Sequence, residues 1–235
     1  MNDLTFYTAE VCPYAQRTRI LLGEKAIEHE SIKIDIDHKP GWFLELTPAQ
    51  RVPVIRHGDF ILWESATINE YLDACFPGPV LRPADERGRA IMRNEIRHFD
   101  NVFLATLYKL LFEQDPAGQE HLRTAVDDGM RYLESRLETI QGAGADPFWL
   151  GAELSLADLA MYPFFERLPV FNHYRGVTMP SSCTRLRRWL DTMIERPAAA
   201  ATAHDLEWFV PRYTAYASGT AQGLSAQAFR AGAAN

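Results

Sequence analysis

The 235-residue chain has few cysteines and no long apolar segment. Its three cysteines cannot all pair within one chain, and its first ten residues hold no apolar signal core, so we expect a reduced, cytoplasmic protein. No uninterrupted apolar run approaches the roughly 20 residues of a membrane helix. The net charge of -7 lacks the basic excess typical of nucleic-acid or anionic-membrane binding. An acidic ligand would therefore need a local positive site.

Several common cofactor and catalytic motifs are also missing. There is neither a GxGxxG run nor a Walker A loop, and no internal repeat. The seven histidines do not form a metal-like spacing with cysteines or carboxylates, so we predict no metal site. Position 15 is alanine, which leaves Cys12 without a CxxC partner. A disulfide formed at Cys12 would have to be released by an outside thiol.

Hydrophobic periodicity divides the chain into two domains. Residues 4–75 indicate a strand, a helix, a strand, a loop with Trp42 and Phe43, a hairpin and a helix. The Pro- and Gly-rich segment 76–88 breaks this pattern, and the apolar spacing beyond it is purely helical. We predict an α/β domain at 1–78, a linker at 79–88, an all-α domain at 89–215 and a loosely ordered Ala- and Gly-rich tail at 216–235.

Cys12 lies between the first predicted strand and the first predicted helix. Pro13 suits the first helical position, so Cys12 would cap the helix and face the free N–H groups of Tyr14 and Ala15. A helix dipole contributes about 1 kcal/mol, less than one pKa unit of about 1.4 kcal/mol, so direct N–H bonds to sulfur are needed as well. We expect a reactive thiolate with a pKa below about 7. The alternative is a buried, unreactive cysteine.

The motifs around Cys12 resemble those of the cytosolic glutathione transferases. VCPYAQRTRILL, HKPGWFLELTP, RVPV and LWESATINEYLD occur in that order and are most similar to the omega, or cysteine-type, class. The helical remainder, with ELSLAD, is similar to the second domain of that family. The resemblance implies the glutathione transferase fold, an α/β thioredoxin-like N-terminal domain plus an all-α C-terminal domain. It also implies a homodimer.

The resemblance further implies a glutathione site in the first domain. Cys12 would be the catalytic residue, and the backbone of Val52, beside a cis peptide at Pro53, would pair with the cysteinyl part of glutathione. Glu64 and Ser65 would hold the γ-glutamyl end, and Ser65 also suits a helix cap. The other implied contacts are Tyr14, which would line the site, and Lys39, which would meet the glycyl carboxylate.

The second substrate would approach Cys12 from the helical domain. There, Tyr108 and Trp208 are our candidates for an open aromatic side of the pocket. The substrate would be a hydrophobic or oxidised small molecule or a mixed disulfide. Tyr7, at the end of the first strand, and Thr8 are competing candidates for the catalytic hydroxyl of a different mechanism.

Together these features predict a glutathione-dependent thioltransferase or dehydroascorbate-reductase-like enzyme. Glutathione would be the co-substrate, and a Cys12–glutathione mixed disulfide would be resolved by a second glutathione. Two alternatives stay open. One is a Ser/Tyr-type conjugating transferase that uses Tyr7 or Thr8, and the other is a non-catalytic glutathione-binding regulatory protein.

Overall fold

The N-terminal part of the chain is built on a mixed sheet. The computed structural model describes residues 3–144, 146–222 and Ala226. Its four-stranded sheet has the order β2-β1-β3-β4, in which β1 is parallel to β2 and antiparallel to β3, and β3 is antiparallel to β4. The strands are β1 (Leu4–Thr8), β2 (Glu30–Lys33), β3 (Val54–His57) and β4 (Phe60–Trp63). Every residue of β1 is buried, since this strand lies inside the sheet.

Three helices belong to the same part. They are α1 (Pro13–Glu24), α2 (Gly41–Leu46) and α3 (Ser65–Cys75). The prediction of a loop around Trp42 and Phe43 is wrong, because both residues lie in α2. A helix of six residues is too short to show an apolar period in the sequence. The two aromatic side chains differ in how far they are buried. Phe43 is fully buried in the core, whereas Trp42 is half exposed.

The rest of the described chain is helical. A π-helical segment (Phe99–Leu104) separates the first two of its helices. The helices are α4 (Glu86–His98), α5 (Ala105–Phe112), α6 (Pro116–Gln141), α7 (Leu156–Phe165), α8 (Leu168–Arg175), α9 (Thr184–Ile194), α10 (Pro197–Ala200) and α11 (Leu206–Ala217). Helix α6, the longest of these, packs against α5.

This architecture confirms the predicted α/β domain followed by an all-α domain. The predicted domain limits stay a prediction. Helix α4 begins at Glu86, inside the predicted linker 79–88, and α11 ends at Ala217, inside the predicted tail 216–235. Ala226 is buried, and most of the predicted tail lies outside the described residues. Across the described ranges, no helix has the length and apolar character that a membrane crossing requires.

A buried carboxylate organises the helical part. Asp158, in the first turn of α7, is completely buried. It accepts hydrogen bonds of 2.7–2.8 Å from the N–H and hydroxyl groups of Ser155, the N–H of Trp149 and the indole N–H of Trp189. Asp158 therefore joins α7 to α9 and to the segment before α7.

Replacing Asp158 should destabilise the protein strongly. Asp158→Ala leaves four donors without their acceptor, and an unsatisfied buried donor costs about 1–3 kcal/mol, so we expect the free energy of unfolding to fall by at least about 3 kcal/mol. Urea denaturation measures this loss. Asp191→Ala, at an exposed position of α9, is the matched control and should stay within about 0.5 kcal/mol of the unchanged protein. Equal stability of the two variants would contradict the assignment.

Candidate active site

Cys12 lies at the turn between β1 and α1. It is the N-cap residue of α1 in an extended conformation (φ -78°, ψ 115°), and Pro13 follows in the first turn of the helix, as predicted. Its amide donates to the carbonyl of Ala9 at 3.1 Å, and its own carbonyl accepts from the amide of Gln16 at 3.0 Å. The backbone on both sides of the thiol is thus fixed by hydrogen bonds.

Burial and the neighbouring groups shift the pKa of the Cys12 thiol in opposite directions. Burial raises the pKa of Cys12 above the ordinary cysteine value. The N–H groups of Ala15 and Tyr14 lower the pKa, as do the charges of Arg19 and Arg167. The donors expected from the sequence are therefore present. The expectation of a pKa below about 7 is wrong, because the cost of removing the thiolate from water outweighs them.

A cavity opens beside Cys12, whose side chain is only partly buried. Its walls come from the β1–α1 turn, the segment before β3 and the β4–α3 turn. The lining residues are Cys12, Tyr14, Ala49, Arg51, Val52, Pro53, Trp63, Glu64 and Ser65. The cavity thus unites the predicted catalytic cysteine with five of the six residues predicted to bind glutathione.

Sequence reasoning missed three of the lining residues. Arg51 and Trp63 lie within the quoted motifs, directly before the VPV and ES runs, and Ala49 lies just upstream of Arg51. The sequence does show a cation, Arg51, next to Val52. A charged side chain before a buried, proline-containing turn lies either against polar groups or in solvent. The sequence does not show which of these two environments Arg51 has.

Val52 and Pro53 form the wall opposite the helix terminus. The peptide bond between them is cis, as the resemblance implied. The carbonyl oxygen of Val52 accepts a hydrogen bond from the Cys12 thiol at 3.7 Å. The thiol thus lies within reach of main-chain polar groups that precede β3.

Glu64 and Ser65 form the other end of the cavity. Glu64 has a positive φ (φ 71°, ψ 111°), which is uncommon for a non-glycine residue and concentrates at functional sites. Glu64 is the N-cap residue of α3, whereas the sequence suggested a helix cap at Ser65, one residue later. Ser65 is 5% exposed, and its hydroxyl oxygen accepts a hydrogen bond from Arg17 at 3.4 Å.

Lys39 does not line this cavity. Its ammonium group donates to the carbonyl of Gln50 at 2.9 Å, next to Arg51 in the chain. Burial lowers the pKa of Lys39, and the positive charge of Arg51 lowers it further. Two cations therefore lie close together at the end of the site.

Tyr108 does not form an open wall. It is 4% exposed, its hydroxyl lies 3.3 Å from that of Tyr213, and its ring packs against Phe164 and Phe171. The prediction that Tyr108 faces an open pocket is wrong, because α7, α8 and α11 pack around its side chain and bury it.

Trp208 is partly exposed, but its ring faces are occupied. The His204 ring is stacked on it with centroids 3.7 Å apart and planes within 6°, and the Arg212 guanidinium lies 3.8 Å from the same centroid. Two groups this close to one centroid must take opposite faces. Trp208 can therefore offer a substrate its edge, not the open face that we expected.

Tyr7 and Thr8, the competing catalytic candidates, do not line the cavity either. Tyr7 is 5% exposed and packs against the rings of Trp42 and Phe43. The hydroxyl of Thr8 accepts a hydrogen bond from Arg19 at 2.9 Å. Both side chains are thus engaged in structural contacts.

A second, more open cavity lies between α4 with the π-helical segment and α6, and it contains no cysteine. Its lining residues are Asn94, Glu95, Arg97, His98, Asn101, Val102, Tyr132 and Arg136. No group of three His, Cys, Asp or Glu side chains in the described part of the chain could hold a metal ion.

Comparison with known proteins places this geometry in a family. Residues 6–80 match the family model "Glutathione S-transferase, N-terminal domain", and residues 116–192 match "Glutathione S-transferase, C-terminal domain". Glutathione S-transferase L3 of Arabidopsis thaliana is 32% identical over 85% of this chain and 81% of its own length. Glutathione S-transferase omega-2 of Rattus norvegicus is 31% identical over 88% of this chain and 81% of its own length.

A solved structure agrees with these relatives. Glutathione transferase Omega 3C from Trametes versicolor superimposes with a TM-score of 0.78 at 27% identity, over 87% of this chain and 90% of that one. The chain therefore belongs to the glutathione S-transferase family, has the fold of that family and resembles its omega class.

Proposed function

We propose that the protein is an omega-type thioltransferase or dehydroascorbate-reductase-like enzyme with Cys12 as its nucleophile. The observation that carries the proposal is the position of the Cys12 thiol, at a helix N-terminus and in one cavity with Val52, Glu64 and Ser65. Such a terminus favours an anion, which is the reactive form of a thiol. Neither Tyr7 nor Thr8 reaches the cavity, which disfavours a hydroxyl-based mechanism.

Glutathione would lie along the cavity with its three parts in separate places. The Ser65 hydroxyl, the first N–H groups of α3 and the Glu64 carboxylate suit the carboxylate and ammonium of the γ-glutamyl end. The main chain at Val52 suits the cysteinyl part, beside the Cys12 thiol. Lys39 and Arg51 supply positive charge for the glycyl carboxylate.

The proposed reaction is thiol–disulfide exchange in two steps. The Cys12 thiolate attacks the glutathionyl sulfur of a mixed disulfide, a new S–S bond forms, and the other thiolate leaves and takes up a proton. A second glutathione thiolate then attacks the glutathionyl sulfur bound to Cys12, releasing oxidised glutathione and the Cys12 thiolate. For dehydroascorbate, two glutathione thiols supply the two electrons and are joined as oxidised glutathione.

We also propose a cytoplasmic homodimer, as the resemblance implies. Val102 and Tyr132 are exposed beside the groove between the π-helical segment and α6, where a second copy of the chain could cover them.

Replacing Cys12 should remove both the covalent intermediate and the activity. After incubation with oxidised glutathione, intact-mass spectrometry and peptide mapping should find one glutathionyl adduct on Cys12. Cys12→Ala should lose this adduct and at least about a thousandfold in thiol-transfer rate. Cys75→Ala, which removes an exposed cysteine, is the control and should keep both. Full activity in Cys12→Ala would refute the mechanism, and glutathione binding without any adduct would favour a regulatory protein.

The reactivity of Cys12 should increase with pH through the neutral range. Because the pKa of Cys12 is raised, the thiol is mostly protonated at neutral pH, and its thiolate fraction grows about tenfold per pH unit below the pKa. The rate of Cys12 alkylation by iodoacetamide, followed from about pH 6 to pH 10, measures this dependence. A rate that is already constant below neutral pH would contradict it.

The charge of Arg19 should contribute to this pH dependence. Arg19→Met removes a positive charge that lowers the pKa of Cys12, so the alkylation midpoint should move to higher pH. Arg87→Met, at an exposed position of α4, is the control and should leave the midpoint unchanged. An unchanged midpoint in Arg19→Met would show that the charge does not act on the thiol, and a shift to lower pH would contradict the direction of its effect.

The cationic end of the site should recognise the glycyl carboxylate. Lys39→Met should weaken glutathione binding about tenfold, which corresponds to the loss of one charge-assisted hydrogen bond. Binding of the glutathione glycyl ethyl ester should change little, because the ester lacks the negative charge of the glycyl carboxylate. Titration calorimetry with both ligands measures the difference, and Lys109→Met, on exposed α5 surface, is the control. An equal loss for both ligands would remove Lys39 from this role.

A further inference from the structure

Two arginine–carboxylate pairs tie α1 to the helical part of the protein. Arg17 contacts Asp100 of the π-helical segment through both terminal nitrogens, at 3.1 and 2.5 Å. Glu24, at the end of α1, accepts two hydrogen bonds from Arg196 at 2.8 and 2.6 Å. The pairs have the same bidentate chemistry, but only the first contacts residues that line the cavity.

The Arg17 guanidinium is enclosed on all sides. Its side chain is 1% exposed, and its Nε donates to the carbonyl of Ala160 in α7 at 2.7 Å. Its central carbon lies 4.8 Å from the ring centroid of Tyr14 and 4.9 Å from that of Phe164. Rings and hydrogen bonds thus fix both the position and the plane of the guanidinium.

Arg17 lies directly behind the γ-glutamyl end of the proposed site. It does not line the cavity, but it contacts Tyr14 and Ser65, which do. Because the Ser65 oxygen accepts a hydrogen bond from Arg17, the Ser65 proton stays available to donate into the cavity. A carboxylate bound there would receive a hydrogen bond whose direction Arg17 helps to set.

The counter-ion of Arg17, Asp100, lies in the π-helical segment. The π-helical conformation is rare in proteins, and where it occurs it is often at a functional site. Its side chain is 18% exposed, so the pair sits at the edge of the domain junction. A buried ion pair adds little to stability compared with apolar residues of the same size, which points to a role in geometry.

We propose that Arg17 is a positioning residue for glutathione. Held by its ion pair with Asp100, it fixes the Ser65 hydroxyl and the Tyr14 ring, so that the γ-glutamyl end meets a preorganised site. This inference rests on the proposed function, in which Ser65 binds the γ-glutamyl end. Preorganisation of this kind contributes to affinity by removing the cost of ordering the site on binding.

Arg17→Lys tests the role of the guanidinium fork. The substitution keeps the charge but removes the fork that reaches Ser65 and Asp100 together. We expect glutathione binding, measured by titration calorimetry, to weaken about tenfold. Arg196→Lys makes the same change in the pair remote from the cavity and should leave glutathione binding unchanged. Unchanged binding in Arg17→Lys, or an equal loss in Arg196→Lys, would overturn the inference.

A double-mutant cycle separates positioning from general stability. If Arg17 acts through Ser65, the loss caused by Arg17→Lys should shrink in a Ser65→Ala background. A purely structural role would give additive losses and overturn the inference. Should Arg17→Lys fail to fold, Asp100→Asn removes the opposing charge at nearly constant shape and should produce the same loss, whereas unchanged binding in it would overturn the inference. If the unsubstituted protein does not bind glutathione, the proposed function itself fails.

Discussion

The packing of α1 against the helical domain is the contact on which the site depends. One side of α1 faces α3, and another faces α7 and α10. Consequently Gln16, Arg17 and Thr18 are all buried, although each is polar. A helix enclosed in this way must satisfy its polar side chains internally, and each of the three forms hydrogen bonds to a neighbouring element. The same enclosure limits the exposure of Cys12, the residue that caps α1.

Burial therefore has two chemical consequences at the thiol. It disfavours the thiolate, which lowers the fraction of reactive enzyme at neutral pH. It also keeps the sulfur next to fixed N–H donors and the Arg19 and Arg167 charges, whose effects are stronger away from water. A thiol with a higher pKa is the stronger nucleophile once ionised, so some of the lost thiolate is offset in exchange reactions. The balance between thiolate fraction and thiolate reactivity depends on how the domains pack, and removing a single neighbouring charge can change it.

Features of this site that depend on neighbouring residues in the chain could be predicted from the sequence. The start of α1 follows from Cys12 and Pro13, and the cis bond at Pro53 followed from the resemblance. Features that depend on tertiary contacts could not be predicted. The sequence shows the N–H donors near Cys12 but not the burial that outweighs them, and it does not show that His204 and Arg212 cover Trp208. Arg17 likewise looks like an ordinary surface arginine until Asp100, more than eighty residues away, is brought beside it.

The charge distribution explains how an acidic protein can take an anionic peptide. The chain carries a net charge of -7, so its long-range field does not attract glutathione. Salt screens charges on solvent-exposed groups beyond about 8 Å, whereas partly buried charges are screened much less. Lys39 and Arg51 lie together at one end of the site, and Arg19 and Arg167 act on the thiol. Recognition therefore depends on local cations that α1, its neighbouring loops and the helical domain hold at the cavity, and the domain packing that buries Cys12 also keeps Arg167 close to it.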